Sequence, residues 1–267
     1  MDATALRHRV VARNAATQSE NRIHDDEIAR RHGFSGGLVP GVTLYAYITQ
    51  PVVARFGRPW LENGTIAVRF VRPVYEGDEV LVTASPSGDR SLDLALTDSA
   101  GTTCVTGSAL LPAAPASPPD PSGYEVVALP KPAERPPADQ ASLAPGTALG
   151  TLHSPTGAER SRHSAAYTAL FDGDLALYDQ DGLVHPGELI LAANAVLAGS
   201  VAMGPWIHVG SEVTNFAAVP VGAVTETRAK VLDRFERGER RFVVLDVIWL
   251  VDGRPTTRAR HTAIYQL

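Results

Sequence analysis

The sequence predicts an α+β chain built twice from one plan: a long enclosed helix wrapped by an antiparallel sheet. Three observations carry that expectation. Landmarks recur at a single offset, each copy contains a strongly apolar helical run, and each run is followed by segments of period two. Pro40-Gly41 returns as Pro186-Gly187, Pro59-Trp60 as Pro205-Trp206, Gly64 as Gly210 and Phe70 as Phe216, every pair 146 residues apart. One such coincidence carries little weight, whereas four at a shared spacing argue duplication.

The elements follow in the same order in both copies. After Gly41, apolar residues at Tyr45, Ile48, Val52 and Phe56 keep helical spacing. After Gly187 the run LILAANAVLAGSVAM is apolar on nearly every side, and a helix of that kind must be enclosed. The enclosing strands come next. Ile66, Val68 and Phe70 alternate, then Val80 and Val82, then Leu92, Leu94 and Leu96, then TTCVTGSALL, with turns at Glu76-Gly77-Asp78 and Ser87-Gly88-Asp89. The second copy supplies EVTNFAAV, TETRAKVL, RFVVLDVIWL and TTRARHTAIY, broken at Gly238 and Asp252-Gly253. One long buried helix followed by a meander, twice, is the double hot-dog pattern: two long central helices, each wrapped by an antiparallel β-sheet. The expected organisation is an N-terminal repeat over 1–111, a linker over 112–145 and a C-terminal repeat over 146–267. Ten of the twenty prolines fall within the linker, and proline neither donates to a ladder nor continues a helix.

Composition narrows the function. The formal charge of −5 comes without a basic run, which excludes a nucleic-acid surface or a polybasic membrane patch as the expected partner. Cys104 is the only cysteine, so no intrachain disulfide can form. Arg and His interrupt the first residues before a signal-like apolar core develops, and no run approaches the ~18 apolar residues of a membrane span. A cytoplasmic chain acting on a small molecule, with no membrane partner, is the expectation. The histidines form no close-spaced ligand set and there is no Cys/His cluster, so no metal is expected. Neither G-x-G-x-x-G after a strand nor G-x4-G-K-[ST] is present, so no nucleotide cofactor is expected either. No G-x-S-x-G elbow occurs.

The stretch from Ser19 to Val80 resembles the MaoC-like family of (R)-specific enoyl-CoA hydratases and dehydratases, in the double hot-dog form. Asn21, Ile23, His24 and Asp26 match the family's D-x-N-P-I-H-x-D segment, Ala29 and Gly33-Phe34 its continuation, and Gly41 the helix-start glycine. Arg69-Phe70-x-x-Pro73-Val74-x-x-Gly77-Asp78 matches its strand. Ser19 stands where the family has its catalytic Asp, Pro40 where it has a His before the glycine, and Arg22 replaces the motif's proline. The resemblance implies hydration or dehydration of an acyl thioester carried by coenzyme A or an acyl carrier protein. It assigns His24 to hold and deprotonate a water, Ser19 to orient it, and the Gly41 N–H to polarise the thioester carbonyl; Asn21, Pro40 and Arg69 belong to the substrate site. A serine hydroxyl stays protonated near neutral pH, so Ser19 cannot act as the missing base.

The second copy has Leu170 opposite His24 and so lacks the histidine. LVHPGELILAANAVL resembles instead the H-P-x-L-L-D motif of polyketide-synthase dehydratase domains, with His185 and Pro186 matching and Ile190 at the aspartate position. This places His185 and Glu188 among the substrate-site candidates. Each candidate also has a structural reading. His24 can bridge its own segment, Arg69 can face solvent, His185 can cap the helix, and Glu188 can stabilise the helix dipole. Asp25 and Asp26 begin HDDEIARR, which reads as a short acidic-first, basic-last helix. Three functions follow: a hydratase or dehydratase, a thioesterase with Glu188 as base, or a non-catalytic acyl or ligand binder. Two halves that meet internally allow a monomer, and free sheet edges allow a homodimer.

Overall fold

The structure, a computed structural model, describes residues 4–154 and 176–267. Ten strands form one antiparallel sheet: β1 (Leu6–Val11), β2 (Thr65–Phe70), β3 (Glu79–Gly88), β4 (Ser91–Asp98), β5 (Thr103–Leu110), β6 (Leu152–Ser154), β7 (Ile207–Asn215), β8 (Thr225–Arg237), β9 (Arg240–Val251) and β10 (Arg254–Gln266). Their spatial order is β1-β3-β4-β5-β2-β7-β10-β9-β8-β6. Read from either end, the order passes through equivalent strands of the two copies. The copies meet at β2 and β7, antiparallel from Thr65↔Thr214 to Arg69↔Gly210. This seam is the contact that two separate hot-dogs would make across a twofold axis, formed here within one chain.

The two long helices, Gly41–Phe56 and Pro186–Ser200, are the two apolar runs of the sequence. They pack against each other and against the inner face of the sheet. In the first, every residue from Val42 to Val53 is buried, including both tyrosines. Burying each such large side chain contributes about 1.5–3 kcal/mol, which explains how the helix tolerates Pro51 in its interior. The strand expectations hold with one shift: β7 starts at Ile207 and ends at Asn215 instead of running to Val219. Beyond Asn215 the Phe216 and Ala217 N–H groups both turn to the Thr256 carbonyl, which takes the chain out of the ladder.

Turn chemistry fixes the hairpins. Asp252 and Gly253 both have positive φ, 50° and 72°, as a two-residue hairpin turn requires. The short acidic-first helix is present as Asp26–Arg31, capped by the Asp25 side chain on the Ile28 N–H at 3.0 Å. Within 112–145 there are two 3-10 turns, Pro121–Gly123 and Pro132–Glu134, and the residues around them lie on the second copy. There, Ala138 N–H donates to Ala202 O, and the Arg228 guanidinium donates to Pro121 O and Tyr124 O. No helix of the described residues is long and apolar enough to cross a membrane.

Candidate active site

The segment before the first long helix folds back on itself around His24. Asn21 caps a 3-10 turn over Arg22–His24, its Oδ1 accepting from the Ile23 N–H at 3.3 Å. The same side chain ties the segment to the other copy: Oδ1 accepts from the Trp206 N–H at 3.1 Å and Nδ2 donates to the Trp206 carbonyl at 2.9 Å. Asp26 Oδ1 accepts from the Gly37 N–H at 2.8 Å, and the Leu38 N–H donates to Ile23 O at 3.1 Å. That closure brings the Leu38 carbonyl 2.7 Å from His24 Nδ1. A carbonyl only accepts, so Nδ1 carries the proton and Nε2 keeps its lone pair. Burial lowers the His24 pKa, partly offset by the Leu38 bond, and this keeps the ring neutral and basic near pH 7.

His24 opens into a cleft of about 150 Å³ at the seam between the copies. Gly41 forms part of its wall and starts the first long helix without a side-chain cap. The first N–H groups of a helix have no intrahelical partners and carry a partial positive charge, so this end suits an oxygen that gains negative charge. Pro40 lines the cleft beside it, and Asn194 enters from the second long helix. His208, from β7, completes the polar lining on the far side.

A Cβ on Gly41 would lie 2.9 Å from His208 Nδ1. His208 Nε2 is 2.9 Å from Ser211 Oγ, which is 3.0 Å from His261 Nδ1. The two rings stack at 4.1 Å, with the Phe70 ring edge-on to His208 at 4.8 Å. Burial, reinforced by the neighbouring His261, pushes His208 well below the usual histidine range, and burial pushes His261 down to about 3.

Of the residues singled out in the sequence, His24, Asn21, Pro40 and Gly41 come together here. Ser19 does not line the cleft; its Oγ accepts from the Asn21 N–H at 2.9 Å and shapes the turn. His185 and Glu188 are buried at the start of the second long helix, outside this lining. His185 acts there as the N-cap, its Nδ1 accepting from the Gly187 N–H at 3.1 Å, and burial pushes its pKa down to about 3. Leu170 lies outside the described residues. Sequence reasoning gives no site role to His208, or to Asn194, which it notes only as a polar residue of the second long helix. His208 and His261 are far apart in the chain, and only strand register joins them.

Arg69 lies in a second feature, a groove of about 1050 Å³ across β2, β7, β10 and the β8–β9 hairpin. Arg69, Arg237, Arg240 and Arg260 line it against Glu212 and Glu239, a net positive patch on a chain of charge −5. None of the four arginines forms an ion pair among the described residues. Phe235 stacks on Phe242 at 4.7 Å and 7° and remains 40% exposed at the wall of the groove. Phe70, Val71, Arg240 and Ile264 border both the groove and the cleft, so the two are adjacent.

No protein-family model and no curated protein match this sequence. Solved structures do match, over essentially the whole chain. A MaoC domain protein dehydratase from Chloroflexus aurantiacus superposes with a TM-score of 0.64 at 11% identity, covering 100% of this chain and 96% of its own. A MaoC-like dehydratase gives 0.61 at 14%, covering 98% of each. A conserved hypothetical protein from Mycobacterium tuberculosis, described as a double hotdog fold, gives 0.59 at 16%, covering 99% of this chain and 96% of its own. The chain therefore has the double hot-dog fold, and it matches structures of MaoC-like dehydratases from end to end.

Proposed function

We propose that the protein is a lyase of the hydratase or dehydratase type that acts on an acyl thioester in the cleft between its two copies. The observation that carries this reading is His24: a neutral imidazole whose tautomer is set by Leu38, opening into the cleft that the Gly41 helix start also lines. In the hydration direction, His24 Nε2 takes a proton from water while the oxygen bonds to the β carbon of the enoyl thioester. The π electrons shift to the carbonyl oxygen, which the helix N-terminus stabilises. His24 then returns the proton to the α carbon, so one molecule of water is added and the imidazole is regenerated. A single neutral histidine supplies both transfers, and no second carboxylate is needed.

The arginine-lined groove beside the cleft supports a phosphate-bearing carrier, since guanidinium groups bind phosphate oxygens in paired hydrogen bonds. The thioesterase reading needs a base at Glu188, and that residue sits outside the cleft lining. The test is a short panel of trans-2-enoyl-CoA and saturated acyl-CoA substrates, with enoyl absorbance and free thiol followed separately. Loss of enoyl absorbance without thiol release, abolished in His24→Ala, is the expected result. Thiol release from both substrate classes would establish a thioesterase instead. Ligand binding with silence in both assays would establish a non-catalytic binder.

A further inference from the structure

We propose that His208 is a substrate-contacting residue whose Nδ1 holds a hydroxyl or water oxygen in the cleft, with Ser211 and His261 setting whether that nitrogen donates or accepts. The identity of the ligand rests on the acyl-thioester reading; the hydrogen-bonded chain behind His208 does not.

A β-bulge creates the arrangement. Along a regular strand, residues three apart face opposite sides of the sheet. In the β7–β10 ladder, Gly210 pairs with Thr262 and His208 with Ala263, leaving Val209 as an extra residue. This insertion cancels the alternation, so His208 and Ser211 reach the same face, and Ser211 lies directly opposite His261 in the register. Bulges that re-aim one side chain are common beside binding sites. Here the re-aimed ring is pinned by stacking on His261 and by Phe70, and its Nδ1–Cγ edge lies beside Gly41 at the cleft wall, where the missing Cβ leaves it room.

Within the His208–Ser211–His261 chain the hydrogen bonds allow two arrangements, and the His208 ring also meets the Gly210 backbone. Ser211 has one proton, so Oγ–H donates to His261 Nδ1 while accepting from His208 Nε2–H, or the reverse. The first leaves His208 Nδ1 with a lone pair; the second leaves it with a proton. With both nitrogens donating, the hydroxyl proton would have no acceptor in the chain. Exchanging the two arrangements takes one proton in at His208 Nδ1 and one out at His261 Nε2, so the net charge is unchanged. Among the described residues, both of those nitrogens are buried without a hydrogen-bond partner, as is Asn194 Oδ1 in the same cleft. A buried polar atom left unpartnered is costly, so an arriving hydroxyl that pairs with it is favoured over a ligand that has none. Attacking water and product hydroxyl each both donate and accept, and a nitrogen available in either state suits both.

The test compares crotonyl-CoA, which has no hydroxyl, with 3-hydroxybutyryl-CoA by calorimetry on wild type and His208→Phe. The phenyl ring keeps the stack and removes the nitrogens. The expected result is about tenfold weaker binding of the hydroxyacyl thioester and less than twofold change for the enoyl thioester. Equal effects on both overturn the contact, and wild-type binding of neither sinks the acyl-thioester reading together with it. Histidine ring nitrogens followed by NMR in wild type need no variant to fold. There, the hydroxyacyl probe is expected to shift His208 while His185, outside the cleft, stays still. A Ser211→Ala spectrum in which the His208 ring nitrogens do not move overturns the chain behind it.

Discussion

Lowering the pH from 7 to 5 should destabilise this protein, chiefly through three fully enclosed histidines, with the half-buried His24 acting in the same direction. His185, His208 and His261 are 1%, 5% and 0% exposed, and burial holds His185 and His261 down to about 3 and His208 well below its ordinary value. In the unfolded chain each titrates near 6.5, so below that pH the unfolded state binds protons that the folded state refuses. Stability therefore falls as pH falls, from about 6.5 down towards the folded pKa values. Each histidine costs about 2 kcal/mol between pH 7 and 5, and the three together about 6 kcal/mol, against a typical total of about 5–15 kcal/mol. The carboxylates with depressed pKa values, Asp26, Asp120 and Asp139, titrate lower and do not contribute in this window. Urea unfolding by circular dichroism at half-unit pH steps measures the slope directly. His185→Asn keeps a good N-cap and removes one titrating group, so its slope should fall by about a third. A wild-type stability that stays within about 1 kcal/mol between pH 7 and 5, or an unchanged slope in His185→Asn, refutes the reasoning.

The remaining expectations concern the cleft and its two neighbours. His24→Asn should abolish enoyl hydration while leaving the urea midpoint near wild type, because the ring is half-buried at the cleft edge and not in the core. Gly41→Ala should destabilise by about 1–3 kcal/mol in spite of alanine's better helix propensity, since its Cβ would press on a His208 ring that cannot retreat. Asn21→Ala should cost a similar amount in urea unfolding, having removed the paired hydrogen bonds between the copies at Trp206. Arg240→Glu combined with Arg260→Glu should weaken coenzyme A binding by about tenfold or more and flatten its salt dependence; unchanged affinity in titration calorimetry would remove the groove from the substrate path.

The fold was legible because its signals are local and repeated. Helical and period-two patterns need only neighbouring residues, and the offset of 146 marked both copies, so the two helices and eight of the ten strands could be located. The two strands not read from sequence are β1 and β6, which are edges. β1 alternates in burial, but its inward positions are Leu6, His8 and Val10 and an apolar Val11 faces out, and β6 is three residues long, so neither shows a clear apolar alternation in sequence. In the site, His24, Asn21 and Gly41 were legible because their motif lies within some twenty residues. His208 was not. Its place depends on pairing with β10, more than fifty residues away, and on one inserted residue that reverses which face it occupies. Arg69 illustrates the complementary failure, since its position on β2 was read correctly while the β8–β9 hairpin that makes a groove around it was out of sight.

The two glycines shared by the copies separate packing from function. A Cβ on Gly64 would fall 2.1 Å from the Trp60 ring, and a Cβ on Gly210 would fall 2.8 Å from the Val68 carbonyl. Both are demands of the seam, where a tryptophan and a neighbouring strand come too close for any side chain, and both serve packing. Gly41 differs, because what fills its missing Cβ is the unpartnered nitrogen of a histidine that the repeat does not supply. The residue 146 positions before His208 is Glu62, which lies on the short helix Arg58–Asn63 and not on a strand, and it is engaged with Arg58 at 2.7 Å. Among the described residues, β7 carries a bulge against β10 that brings a polar ring to a helix start, while β2 pairs with β5 without a register shift. The asymmetry between the copies at these positions coincides with the cleft, which is what a duplicated fold with a single working site predicts.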